Sequence, residues 1–317
     1  MARVQLNGIT ATLGASGFVV ASLLANVASG QSLRTPESVY PPIEPGSAGN
    51  YDDTHDDRDS RDAFGRSIGG LHLDLSATYF TDYVFRGVER FDAVGSSPRP
   101  EDTANYQFDT KLSFDLGKVP HPYVDIFVNV GENDPVSSFQ EVRPTFGFDW
   151  PIKPFILSAG HSNYIFPDRS DLDTAEVFAR LQFDDSQIFR TDQPLLNPYV
   201  LAAYDYDQYD GLYLEAGIRP TYKVENTGLS FTLDAHVSYV SGFRGLFASM
   251  DPTQSENGFQ HYQVGLIGQY NLNTLLNIPS RFGQWSVTGY VYYTDGIESE
   301  MTADTQLWGG AGISLRY

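Results

Sequence analysis

The chain has 317 residues and carries 20 Lys and Arg against 40 Asp and Glu, a formal net charge of −20. That balance argues against nucleic acid as a partner, because binding it requires basic side chains to neutralise phosphates. The absence of cysteine removes disulfides, thiolate metal sites, thiol catalysis and a lipid anchor on an N-terminal Cys, while 20 Tyr, 21 Phe and 29 Gly suit a sheet with tight turns.

Residues 1–30 read as a secretory signal peptide. Arg3 opens a stretch, 9–30, that is apolar, rich in small residues and free of charge, and it ends in Ala28-Ser29-Gly30 or Val27-Ala28-Ser29 as a small-x-small cleavage site. Residues 31–69 are rich in Pro, Ser, Gly and Asp, lack apolar periodicity and are expected to be a disordered acidic linker. The Asp cluster at 52–62 suits a solvated tail better than a cation site.

From Gly70 the pattern becomes strand-like. In "LHLDLSATYFTDYVF", Leu71, Leu73, Leu75, Ala77, Tyr79, Thr81, Tyr83 and Phe85 share one face, and His72, Asp74, Ser76, Thr78, Phe80, Asp82 and Val84 the other. Tyr106, Phe108, Thr110, Leu112 and Phe114 then alternate with Gln107, Asp109, Lys111 and Ser113, and Val124, Ile126, Val128 and Val130 with Tyr123, Asp125, Phe127 and Asn129. The alternation recurs near 139–149, 154–164, 174–183, 198–208, 211–222, 228–240, 259–271, 282–294 and 305–317. Twelve segments result, each near the ~9–11 residues that a tilted strand needs to cross a bilayer. The expected fold is all-β: a closed antiparallel transmembrane barrel over 70–317, with Leu73, Leu112, Val128, Leu233, Val287 and Leu315 toward lipid. The inward set interleaves acids and bases: Asp74, Asp109, Lys111, Asp125, Glu141, Arg143, Glu176, Arg180, Glu215, Arg219, Asp234 and His236. A secreted β-sandwich is the competing fold, but its polar face would be a plain solvated one.

Connections alternate between long polar loops and short turns, as in outer-membrane barrels whose long loops are extracellular and whose ends are periplasmic. The connections near 184–197 and 272–281 are longer than this scheme wants. One strand is ambiguous: Tyr199, Leu201 and Ala203 look as apolar as Val200, Ala202 and Tyr204. Asp210-Gly211 suits a two-residue type I′ turn, which pairs Tyr209 with Leu212 and puts Tyr199, Leu201 and Ala203 outside. The last strand ends on Tyr317, an outward aromatic suited to the rim girdle and to recognition by the barrel-insertion machinery.

"YFTDYVFRGVER", residues 79–90, resembles the opening strand of the TorF family of porin-like outer-membrane proteins, with Thr81, Asp82, Tyr83, Val84, Phe85, Arg86 and Gly87 as the matching residues. The likeness extends loosely over 70–317. It departs at Phe80-Thr81-Asp82, where smaller residues are commoner, and it excludes the linker. The resemblance implies an outer-membrane barrel of porin type, with no catalytic residues to carry over.

Catalytic readings fare poorly. His161 and Ser162 suggest an outer-membrane phospholipase, but neighbours on a strand point to opposite faces, so they cannot form a nucleophile–base pair. "DYDQYDG" (205–211) starts like a calcium loop and then lacks the bidentate acid at its twelfth position. No metal, cofactor or reaction is expected. The expected function is passive diffusion of small hydrophilic solutes or ions, with outer-membrane lipid as the surrounding partner. A modest cation preference is expected, since the long loops sum to −13 and the short turns to +1. A closed structural or adhesive barrel, binding a partner through its acidic loops, is the alternative.

Overall fold

The computed structural model describes residues 4–6, 9–11, 70–89, 104–131, 140–167, 169–191, 193–244, 255–299, 301, 303 and 305–317. Val4–Leu6 pairs antiparallel with Ile9–Ala11; the rest of the expected signal peptide and all of the expected linker lie outside the described residues, as do most of three long loops.

Twelve strands make the wall: β1 (Leu71–Phe80), β2 (Asn105–Phe114), β3 (His121–Gly131), β4 (Glu141–Ile152), β5 (Phe155–Tyr164), β6 (Thr174–Phe183), β7 (Tyr199–Asp205), β8 (Gly211–Ile218, resuming as Thr221–Val224), β9 (Leu229–Arg244), β10 (Ser255–Asn271), β11 (Gln284–Gly296) and β12 (Gln306–Arg316). Each strand pairs antiparallel with its sequence neighbours, and Pro220, which has no N–H to give a ladder, interrupts β8. Closure comes from β12 on β1, with Leu315 opposite Leu75 and Arg316 opposite Asp74. Tyr317 exchanges backbone hydrogen bonds with Leu73 at 2.7 and 2.8 Å. The sheet has no free edge, so the C-terminal strand is tied down to its last residue.

The outer surface is hydrocarbon. Phe108, Ile126, Phe146, Val177, Val200, Leu233, Leu266 and Val291 are all exposed around the barrel waist, and the six residues expected to face lipid lie on this outer side. In water such a surface would cost about 25 cal/mol per Å²; in a bilayer it is the favoured one. Aromatic rings bound the belt at both ends. At the long-loop end the rings of Tyr79 and Tyr106 (tilted) and of Tyr239 and Phe259 (edge-to-face) are 5.4 Å apart, and those of Tyr262 and Tyr293 (tilted) 6.1 Å apart; at the short-turn end Trp150, Phe155, Tyr222 and Tyr317 are exposed. Among the described residues no helix is long and apolar enough to cross a membrane. The strands do the crossing.

Two expectations are corrected. The first strand does not run to Phe85 but stops at Phe80, and Tyr83 and Phe85 are buried at 0% and 2% exposure instead of facing lipid. The β7–β8 turn is not the two-residue Asp210-Gly211 type. Asp205 pairs with Gly211 across a five-residue loop, so Tyr199, Leu201 and Ala203 face inward. The cause is Asp205, whose carboxylate accepts the backbone N–H of Asp207 and Tyr209 and the Thr174 hydroxyl at 3.2, 3.0 and 2.7 Å. Tyr209 then tucks inward against Phe243 at 5.8 Å. The same carboxylate geometry explains the calcium-like start of this segment: it closes a turn on its own backbone.

Candidate functional site

Strand alternation places all twelve expected inward residues on the lumen side, but they do two different jobs. In the short-turn half, water reaches one wall: His72, Asp74, Ser76, Asp109, Ser113 and Ser314 are part-exposed. There Arg316 Nε donates to Asp74 at 2.7 Å. The rest of this half is packed. Lys111 donates to Asp149 at 2.9 Å and sits 3.9 Å over the Tyr123 ring, while Asp125 is also buried. Arg219 lies 3.5 Å from Asp234, and Arg180 lies 4.1 Å over Tyr199. Glu215 accepts the hydroxyls of Tyr199 and Tyr213 at 2.6 and 2.8 Å, with His236 at 3.8 Å.

The long-loop half is filled by the chain itself. After Phe80 the backbone bends at Thr81 and turns into the barrel, and Val84–Phe85 pairs with Val88–Glu89 as a small hairpin. Arg86 and Gly87 form its tip with φ of 52° and 74°, the two positive values that a type I′ turn demands. Gly87 is required twice over, since a Cβ there would also lie 2.5 Å from the His261 ring. The turn chemistry is thus what converts the family-like motif from a strand into a plug.

Wall residues hold the hairpin. Arg86 donates to both oxygens of Glu176 at 3.1 and 2.9 Å and lies 4.3 Å over the Tyr213 ring. Glu176 also accepts the Tyr164 hydroxyl at 2.6 Å. Tyr83 donates to Glu141 at 2.8 Å and accepts from Arg143 at 3.0 Å, and Arg143 is paired with Glu141 as well. Phe85 is wedged between two guanidiniums, 5.0 Å from Arg86 and 4.8 Å from Arg143. Asp82 is buried beside Thr81, whose hydroxyl donates to it at 2.6 Å. Around this sits an apolar shell that includes Val88, Phe166, Leu172, Phe178, Leu201, Tyr213 and Phe243. On the β1–β12 side Phe80, Val84, Ile267, Tyr290, Tyr292 and Trp308 form a second cluster, with Tyr292 on Trp308 at 4.5 Å.

Sequence reading missed this partition. It set Glu141, Arg143 and Glu176 on the inner face but did not read them as gripping a hairpin; the Arg86-Gly87 pair, a turn-compatible dipeptide within a strand-like run, was the available clue. It also missed Ser238 and His261. An extra residue in β10 opposite Ser238 turns both Gln260 and His261 inward, and Ser238 Oγ lies 2.7 Å from His261 Nδ1. Ser238 also bonds the backbone N–H and C=O of His261, each at 3.2 Å, which makes it a clasp on the bulge. His161 points outward to Tyr206 at 2.6 Å, whereas Ser162 points inward to Thr145 at 2.8 Å. They share no face. Among the described residues no group of three His, Asp or Glu is arranged to hold a metal.

Fold and interior together define a closed twelve-stranded transmembrane β-barrel whose lumen is filled from one end by its own hairpin. No protein-family model matches the chain, and no curated protein matches it in sequence. Among solved structures it is similar to the NanC porin, at 12% identity and a TM-score of 0.44 over 77% of this chain and 98% of that one. It is similar to the COG4313 outer membrane channel from Pseudomonas putida F1, at 9% identity and 0.47 over 83% and 100%. It is also similar to outer membrane phospholipase A from Escherichia coli, at 14% identity and 0.40 over 77% and 89%. Similarity is low in each case, and the assignments for this chain rest on its own geometry.

Proposed function

We propose that the protein is a narrow outer-membrane channel for small hydrophilic solutes or ions, with the 81–89 hairpin as its constriction. The observation that carries this is the unequal lumen: polar groups such as Asp74, Asp109 and Ser314 are part-exposed in the short-turn half, while the hairpin packs into the other half. Asp74, Asp109 and the other inward groups would line the approach, and Glu141, Arg143 and Glu176 would set the position of the constriction. Selectivity would follow from its width and its charges. No reaction is part of this reading. The long loops would face the exterior, and the first strand's start and the last strand's end would both lie on the periplasmic side, with Tyr317 read during insertion. The TorF-type motif supports the same view, because its Asp82, Tyr83, Arg86 and Gly87 all belong to the hairpin.

Planar-bilayer recording tests the proposal. Wild-type protein should show small steady unitary openings, and replacing 84–88 by Gly and Ser should enlarge them several-fold. A trimmed variant that is folded yet electrically silent would sink the channel reading. The burial of the hairpin favours a second reading, a closed structural barrel, which predicts silence from the wild type and the trimmed protein's conversion into a leak.

A further inference from the structure

Two connections at the short-turn end, 184–198 and 272–283, are longer than a barrel turn needs, and each is rigidly built. In the first, the buried Asp185 carboxylate accepts the N–H of Leu195 and of Leu196 at 2.7 and 2.8 Å, and Asp184 accepts that of Ser186 at 3.0 Å. This fixes one helical turn, Ser186–Phe189. In the second, Asn273 accepts the Trp285 N–H at 2.6 Å and donates to the carbonyls of Ile278 and Gly283 at 3.1 and 2.8 Å. That fixes Leu272–Leu276. Both frames hold large apolar side chains out of the protein: Ile188, Phe189 and Leu195 in one, Leu275, Leu276 and Phe282 in the other, 40–65% exposed.

The second turn runs onto the lipid-facing side. The Phe282 carbonyl accepts the Trp285 indole N–H at 3.1 Å, and Trp285 pairs with Leu315 on the outer face. Its apolar surface therefore continues the belt. The same rim exposes Lys118, Lys153, Arg190, Lys223 and Arg281, and Glu225 is the one exposed acid among its described residues. Arg281 lies 4.9 Å over the Phe282 ring, an apolar stem beneath a charged head of the kind found at membrane interfaces. Leu, Ile and Phe on short helical turns beside Arg, with Lys on the neighbouring turns, is the composition of an interfacial segment.

We propose that these two turns are interfacial anchors seated in the headgroup region of an anionic phospholipid leaflet, with their apolar side chains at the acyl boundary and the rim cations on lipid phosphates. The proposal rests on the transmembrane reading of the barrel, and its test separates the two. Because the chain lacks cysteine, Leu276→Cys and Ile188→Cys can each carry one nitroxide label. Leu266→Cys serves as the belt control and Asn226→Cys as the plain-turn control. Collision rates with oxygen and with a water-soluble nickel chelate are compared in phosphatidylglycerol and phosphatidylcholine vesicles. The anchor labels should show an oxygen-to-nickel ratio several-fold above Asn226→Cys, below Leu266→Cys, and higher in phosphatidylglycerol. Anchor labels that match Asn226→Cys while Leu266→Cys stays lipid-exposed overturn the proposal. An aqueous Leu266→Cys would instead overturn the membrane reading. Equal ratios in the two lipids would overturn the preference for an anionic leaflet.

Discussion

Arg86 is held in a backbone conformation that side-chain-bearing residues seldom adopt, and its guanidinium is removed from water. Both costs are offset by the paired bonds from Nη2 to the two Glu176 oxygens and by the Tyr213 ring beneath the guanidinium. Breaking a buried pair from one side leaves the other charge stranded, typically about 3–5 kcal/mol. Arg86→Ala should therefore lower the unfolding midpoint in detergent and widen the conducting path at the same time. A change in stability with unaltered single-channel current would mean that the hairpin is not the constriction. Gly87→Ala should be worse tolerated than a glycine change in an open turn, since both its φ and the His261 ring oppose a Cβ.

At the scale of elements, the face assignment of β7 is open to direct measurement. Tyr199 donates to Glu215 inside the barrel, so Tyr199→Phe leaves a buried carboxylate short of a partner, and a loss of about 1–3 kcal/mol is expected. Were Tyr199 on the lipid side, the change would be neutral or stabilising in denaturant titrations. The belt makes a companion prediction. Leu266→Arg places a charge in hydrocarbon and should cost roughly 2–4 kcal/mol near the bilayer midplane, whereas Ser314→Arg, on the water-reached inner wall, should cost much less. Equal losses would contradict the inward–outward register of β10 and β12.

For the molecule as a whole, charge is distributed by end. The long loops are strongly acidic and the short turns nearly neutral, so cations should concentrate at the long-loop mouth, and a low-dielectric wall focuses that field. Lumen bases are largely matched by acids, as in Arg86–Glu176, Lys111–Asp149 and Arg316–Asp74. Preference for cations should thus be modest and should weaken above ~0.1 M salt, where the screening length falls below ~10 Å. Reversal potentials across a KCl gradient measure it; anion preference at low salt would refute the assignment.

The strand count, the closure of β12 on β1 and the lipid belt were legible in the sequence, because side chains alternate with a period of two and one face must meet hydrocarbon while the other meets polar groups. Alternation is a local property, so it failed where a tertiary contact outbid it. Tyr83 and Phe85 keep the period of a strand, yet the bend at Thr81 and the left-handed Arg86–Gly87 tip carry them into the lumen, where Glu141, Glu176 and His261 come from distant strands. Tyr199, Leu201 and Ala203 were as apolar as their neighbours, and Asp205 capping its own loop decided which way they point. Alternation along the chain is enough to specify a membrane barrel with a charged interior. That half of this interior is closed by the chain is set by tertiary contacts, because the partners of a buried hairpin are brought together by closure of the sheet and not by proximity along the chain.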